Sequence, residues 1–367
     1  VRILLDGTVF EEPLTGVARV TLGLYEACRD LDPSICIDVL HRRPLVCNVP
    51  EGFIRRRSGR YLSHTAWRNY LLPLLLRPGH DRISHFPCNG NVPFVRSGLP
   101  VVITLHDVIP LLMPDHFPDP TGELSYRKQT QGDLDRADLV ITVSEYSRKE
   151  ILRNFNVSAE PLVIRPGLRL DPNVPEGGDV PDSTDPYFVY VGGYDRRKGL
   201  EQLLRVFDDL VLTNVTKARL VLVGLPRPIT GEFQDLLRRG LESGRVIQSG
   251  YITDGELTQL LRHARALVFP SRYEGFGLPA LEAMAAGCPV ITTRSTSLPE
   301  VCGEAAVYFD HRDDRGLAAA MVQCESSGET YRHYRMLGLA RSRMFTRSEP
   351  AQRFLEALEP LRRRTLR

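Results

Sequence analysis

Lysine is nearly missing from this 367-residue sequence: Lys128, Lys149, Lys198 and Lys217 are the only lysines among 47 cationic side chains, so each carries more information than usual. A charge excess is missing as well. Lys+Arg 47 against Asp+Glu 45 leaves a net charge of +2, which gives no global field to gather nucleic acid, and none is expected as a partner. Paired cysteines are absent. Cys28, Cys36, Cys47, Cys88, Cys288, Cys302 and Cys324 are odd in number and dispersed, with no CxxC pair and no Cys/His cluster at metal spacing. They read as reduced, mostly buried small hydrophobes, which points to the cytoplasm. No apolar run approaches the roughly 18 residues of a membrane span, and the chain opens on the strand pattern "VRILLD" without the basic and then apolar preamble of a secretory leader. Attachment to a membrane surface stays open. There is no repeat at solenoid spacing.

What is present is an ordinary globular composition, 42% hydrophobic and 25% charged, in a chain longer than one core comfortably serves, so two domains are expected. Short Val/Ile/Leu runs alternate with segments of helical period, the pattern of parallel sheets covered on both faces. One series has strands at 2–6, 36–40, 82–86, 101–105, 139–143 and 162–164, with helices at 17–30 and 124–137. A second has strands at 187–192, 219–224, 246–250, 266–270, 289–293 and 305–309. The fold class is therefore α/β, with two doubly wound domains. The Pro-, Gly- and Asp-rich stretch from Arg165 to Pro186 separates them. The expected division is residues 1–168, a linker at 169–186, a second domain at 187–348, and a final helix at 349–367 crossing back to the first domain, with Ser348 as its cap.

The stretch "YEGFGLPALEAMAAGCPVITT" follows the strand "ALVFP" and sets seven residues between Glu274 and Glu282. In an open α/β sheet, ligands sit beyond the carboxyl ends of the strands, which places this loop at the site. Gly275 and Gly277 remove side chains that would shield backbone N–H groups. Pro279 suits the first position of a helix running to about Ala286, whose amino end suits a phosphate. An ionised carboxylate can hold a vicinal diol in bidentate fashion. Two of them fit the two diols of a nucleotide sugar, with its diphosphate between. Singly, each glutamate reads as an ordinary helix-end charge; the combined pattern is what selects the ligand.

The segment from Pro270 to Asp310 closely resembles the donor half of the retaining glycosyltransferases of family 4, whose signature is this glutamate pair. The resemblance implies a GT-B fold, two Rossmann-like domains facing across a cleft, and retaining transfer from a UDP-, GDP- or dTDP-linked sugar with neither cofactor nor metal. It assigns Glu274 to the donor sugar, Glu282 to the ribose, and Gly275, Phe276, Gly277 and Leu278 to the turn between. "YVGGYDRRKGLEQLLRVF" (Tyr190 to Phe207) resembles the diphosphate-holding loop, with Lys198 at the family lysine. Gly193 stands where the family has arginine, so Arg196 or Arg197 must supply the second cation. His106, after "VVITL", matches the histidine facing the sugar; Gly16 matches the first glycine loop, or is a plain turn glycine. Ser144, in "ADLVITVSEYSRKEIL", reads first as a helix cap. Base contacts are expected near Tyr251 and Ile252.

Lys198, Glu274 and His106 are thus the expected catalytic residues, acting mainly by electrostatics on a departing diphosphate. The acceptor, a glycan, a lipid-linked saccharide or another hydroxyl, is less legible. "FIRRRSGRYLSHTAWRNYLLPLLLRPGHDR" (Phe53 to Arg82) interleaves arginines with Trp67 and an apolar run. It reads either as a surface loop before a core-packed helix or as a patch resting on the anionic inner face of a membrane. Three rival readings remain. A nucleotide-sugar epimerase of GT-B shape would bind the same donor without an acceptor, and a noncatalytic binding module would not need Lys198. A nicotinamide oxidoreductase needs GxGxxG, which "GGYDRRKG" and "DGTVFEEPLTG" both lack.

Overall fold

The computed structural model describes residues 1–12, 16–89, 92–95, 97–113, 117, 119–168 and 185–365. Residues 169–184 of the expected linker, and 13–15 of the loop before Gly16, lie outside them. The chain divides into two compact units, Val1–Leu168 with Phe345–Arg367, and Arg169–Met344.

The first unit is built on an all-parallel sheet in the order β3-β2-β1-β4-β5-β6-β7. Its strands are β1 (Arg2–Asp6), β2 (Cys36–His41), β3 (Phe53–Arg57), β4 (Arg82–Phe86), β5 (Val101–Thr104), β6 (Leu139–Thr142) and β7 (Leu162–Val163). Alternation along β1 sends Ile3 and Leu5 to one face and Leu4 to the other. On the first face they meet Tyr25, Phe354 and Leu358 from the helices Gly16–Leu31 and Ser348–Thr365. On the second, Trp67, Phe86, Ile103 and Ile151 close a separate core. β3 is an addition to the sequence reading. Four of its five residues are exposed and three are arginine, so it has no apolar face to announce a strand. Parallel pairing with β2, Ile37 opposite Phe53 through His41 opposite Arg57, makes it one. Ser144 caps the helix Glu145–Asn154, accepting from Ser147 N at 3.0 Å. Ser348 is instead the first residue inside its helix.

The second unit repeats the design with six parallel strands, β8 (Tyr187–Val191), β9 (Arg219–Val223), β10 (Val246–Gly250), β11 (Ala266–Phe269), β12 (Val290–Thr293) and β13 (Val307–Phe309), in the order β10-β9-β8-β11-β12-β13. Phe188, Tyr190, Leu220, Leu222 and Val268 pack beneath the helices Leu200–Leu212 and Asp314–Ser326. The order reverses between β8 and β11, so the loops leaving those two strands flank the crevice where such sheets bind ligands.

Candidate functional site

After β8 the chain runs to Asp195, whose carboxylate caps the single 3-10 turn Arg196–Lys198 by accepting from Arg197 N at 3.1 Å. Gly199 then adopts φ +70°, and a Cβ there would lie 2.2 Å from Pro270 O. Only glycine lets the loop after β8 lie this close to the loop after β11. Backbone seals the contact, Arg272 N donating to Arg197 O at 2.7 Å.

The consequence is a buried ionic cluster. Lys198 Nζ donates to Glu274 Oε1 at 2.6 Å, and Ser271 Oγ donates to the same oxygen at 2.6 Å. Arg197 Nη1 donates to Tyr273 O at 2.8 Å and lies 3.6 Å from Glu274 Oε2. Oε1 already accepts two hydrogen bonds, so Glu274 has only Oε2 for a further donor, and the bidentate grip expected from sequence is not open to it. Burial opposes charge on Glu274, yet Lys198 and Arg197 outweigh it and hold the carboxyl below its ordinary pKa. Burial is also the largest influence on Lys198 and lowers its ammonium pKa; Glu274 counteracts this while Arg197 adds to it. Both partners therefore shift downward, the ammonium through burial helped by Arg197 and the carboxyl through the two cations beside it. The ammonium also sits over the Phe269 ring, 5.3 Å from its centroid.

Beyond Glu274, Gly277 takes φ +108° and heads the helix Leu278–Ala285, with Pro279 in its first turn. Its intrahelical bonds begin with Ala280 N donating to Gly277 O at 3.1 Å, so the amides of Gly277 and Leu278 precede the ladder. Glu282, half-buried, lies one turn further along that helix. Arg196 is exposed, with no ionic partner among the described residues, whereas Arg197 is held inside the cluster. Tyr251 is exposed and Ile252 half-buried just after β10. Sequence reading missed Asp195, Ser271, Thr296 and Ser297. The only signal for the last two is the hydroxyl-rich run "TTRSTS" from Thr292 to Ser297.

In the first unit, His106 is buried two residues past β5. Its Nε2 lies 3.0 Å from Pro87 O, a group that only accepts, so Nε2 carries the proton and Nδ1 keeps a lone pair. Burial lowers its pKa, against the attraction of Asp107 and the Pro87 carbonyl, which favours the neutral ring. Gly16 opens its helix with nothing within 4 Å of the place a Cβ would occupy.

Residues 15–171 match the family described as Glycosyltransferase Family 4, and residues 185–326 match Glycosyl transferases group 1. The chain belongs to the family-4 glycosyltransferases. This glycosyltransferase is 28% identical to the O-antigen chain mannosyltransferase B of Escherichia coli, across 94% of its own length and 96% of that protein. Its GT-B fold is shared with the sucrose-phosphate synthase of Thermosynechococcus elongatus, at a TM-score of 0.72 and 20% identity over 98% of both chains. The Anabaena protein HepE, crystallised with UDP and glucose, gives a TM-score of 0.73 at 16% identity over 97% of this chain and 98% of that one. The enzyme is a hexosyltransferase.

Proposed function

We propose that this glycosyltransferase moves a hexose, with mannose the leading candidate, from a nucleotide diphosphate sugar to a hydroxyl of a glycan or lipid-linked saccharide during polysaccharide assembly, retaining the anomeric configuration. Mannose and the pathway are supported by the name of the Escherichia coli relative. The observation that carries the reading is the Lys198–Glu274 pair at the carboxyl ends of β8 and β11.

The bond from sugar C1 to the phosphate oxygen breaks, and its electron pair leaves with the nucleoside diphosphate. The acceptor oxygen forms the new bond to C1 on the same face and passes its proton to the departing phosphate. Lys198, the exposed Arg196 and the amides of Gly277 and Leu278 receive the developing charge, each donor contributing about 3 kcal/mol by analogy with oxyanion holes. Glu274 Oε2 accepts from a sugar hydroxyl and orients the ring, and Glu282 takes the ribose. These donors meet the leaving-group charge without a resident metal, so chelator-treated enzyme is expected to keep its rate.

Thermal-shift titration with UDP-, GDP-, dTDP- and ADP-sugars tests the reading, because the true donor raises the melting temperature by mass action. NMR of the product anomer then tests retention. No stabilisation by any nucleotide sugar would overturn the donor reading, and an inverted anomer would overturn retention alone.

The acceptor end of the reading includes a membrane surface. Gly52 to His80 contains six arginines and no acid. Tyr61, Tyr70 and Leu74 are exposed there, and Phe94, also exposed, lies against Arg68. Trp67 is buried and belongs to the core rather than to this patch. No helix among the described residues is long and apolar enough to cross a membrane.

A further inference from the structure

The end of β12 and the segment after it match the end of β11 and its loop group for group. Thr292 Oγ1 donates to Phe269 O at 2.7 Å and Thr293 Oγ1 to Ser271 O at 2.6 Å. Further along, Thr296 Oγ1 accepts from Glu274 N at 3.1 Å. Ser297 Oγ lies 2.9 Å from both Glu274 O and Phe276 O, its hydrogen shared between them. Four hydroxyls from one stretch of six residues therefore bond this backbone, Thr292 at the last residue of β11 and Thr293, Thr296 and Ser297 in the loop that carries Glu274.

One of the four sits in a conformation its residue type resists. Thr296 has φ +54°, a left-handed backbone that a β-branched side chain adopts only at a cost in strain. In extended backbone, successive side chains point to opposite faces. Here Thr296 and Ser297 both reach the same loop, and the left-handed turn is what brings them there. The strain coincides with the hydroxyl that meets the Glu274 amide.

We propose that Thr296 is a positioning residue for Glu274. Its hydroxyl fixes the backbone from which the glutamate projects, delivering Oε1 to Lys198 and Ser271 and leaving Oε2 for a substrate hydroxyl. This rests on the reading of Glu274 as the donor-sugar contact, and the test separates the two.

The test uses the full-length enzyme, with GDP-mannose as first probe and the remaining nucleotide-sugar panel behind it. Thr296→Val is expected to speed hydrogen exchange in the peptide 270–278 and to lower kcat about tenfold, the usual worth of one lost hydrogen bond. Affinity for free GDP should stay as in wild type and the melting temperature should fall by no more than a few degrees, while Thr296→Ser restores kcat. Thr296→Gly accepts the left-handed backbone without strain but lacks the hydroxyl, so it should lose kcat like the valine variant. Wild-type kcat in either the glycine or the valine variant overturns the proposal. In a Glu274→Gln background, Thr296→Val should add little; a full additional loss means that Thr296 does not act through Glu274 and also overturns it. If Glu274→Gln itself turns over normally, the donor-sugar reading fails instead. The exchange measurement then still decides whether Thr296 holds the loop, unchanged protection in Thr296→Val counting against it.

Discussion

Lys198 Nζ and Glu274 Oε1 meet at 2.6 Å although 76 residues separate them in the chain. Both side chains are largely buried, so each is the other's principal compensation for lost water.

Removing one partner should therefore cost more than removing both. Glu274→Gln is expected to destabilise the protein by about 3 kcal/mol, because the Lys198 charge loses its carboxylate, and Lys198→Met by less, because Arg197 and Ser271 still meet Glu274. The double variant should melt above the worse single. All three should lose at least about tenfold in transfer. Calorimetry of the four proteins gives the coupling, and additive losses would show that the pair does not compensate in this way.

The two candidate phosphate arginines should separate cleanly. Arg196→Ala removes an exposed cation, so the donor KM should rise with no change in melting temperature. Arg197→Ala removes the hydrogen bond to Tyr273 O and the pairing with Asp195 and Glu274, and should destabilise by about 2 kcal/mol. Donor titration beside thermal melts distinguishes them. A KM unchanged in Arg196→Ala moves the second cation elsewhere.

Stability should fall on mild acidification. His85 is fully buried between Tyr25 OH, 2.6 Å from Nδ1, and Thr104 Oγ1, 2.8 Å from Nε2. Burial, with a smaller contribution from His106, lowers its pKa to about 3. Its folded pKa lies below the unfolded value of 6.5, so the unfolded chain binds the extra proton. The contribution is complete above pH 6.5 and is lost as pH falls toward 3, at up to about 1.4 kcal/mol per pH unit. His106, also lowered, acts with the same sign, whereas Glu274 keeps its contribution above its ordinary value of 4.5 and loses it as pH falls from there. Melts from pH 7.5 to 5 therefore isolate the histidines, and His85→Gln should flatten the curve.

Vesicle flotation tests the basic, aromatic surface of the first unit. Binding to phosphatidylglycerol vesicles over neutral phosphatidylcholine is expected, weakening in high salt and on Tyr70→Ser with Leu74→Ser. Equal flotation on both lipids would remove the membrane from the acceptor reading.

Strands buried on both faces were legible because parallel sheets write largely apolar runs; Arg2–Asp6 and Arg82–Phe86 were bounded to the residue. Phe53–Arg57 was not legible, because an edge strand takes its identity from backbone pairing with β2, which leaves no mark on side chains. Glu274 and Lys198 were found through a motif, yet their contact was not. Nothing in the spacing says that two loops cross at Gly199 or that one oxygen of Glu274 is already occupied.

The local chemistry of this protein was set by sequence alone: two series of buried strands, a glycine-bearing turn between two glutamates, and a lone lysine after a strand. Such features depend on side-chain type and short-range period, which the chain carries at every point. Tertiary structure decided which charges are paired, which arginine stays in solvent, and which threonine accepts strain. Those outcomes depend on how closely separate loops approach at a sheet edge, a distance that no neighbouring residue encodes.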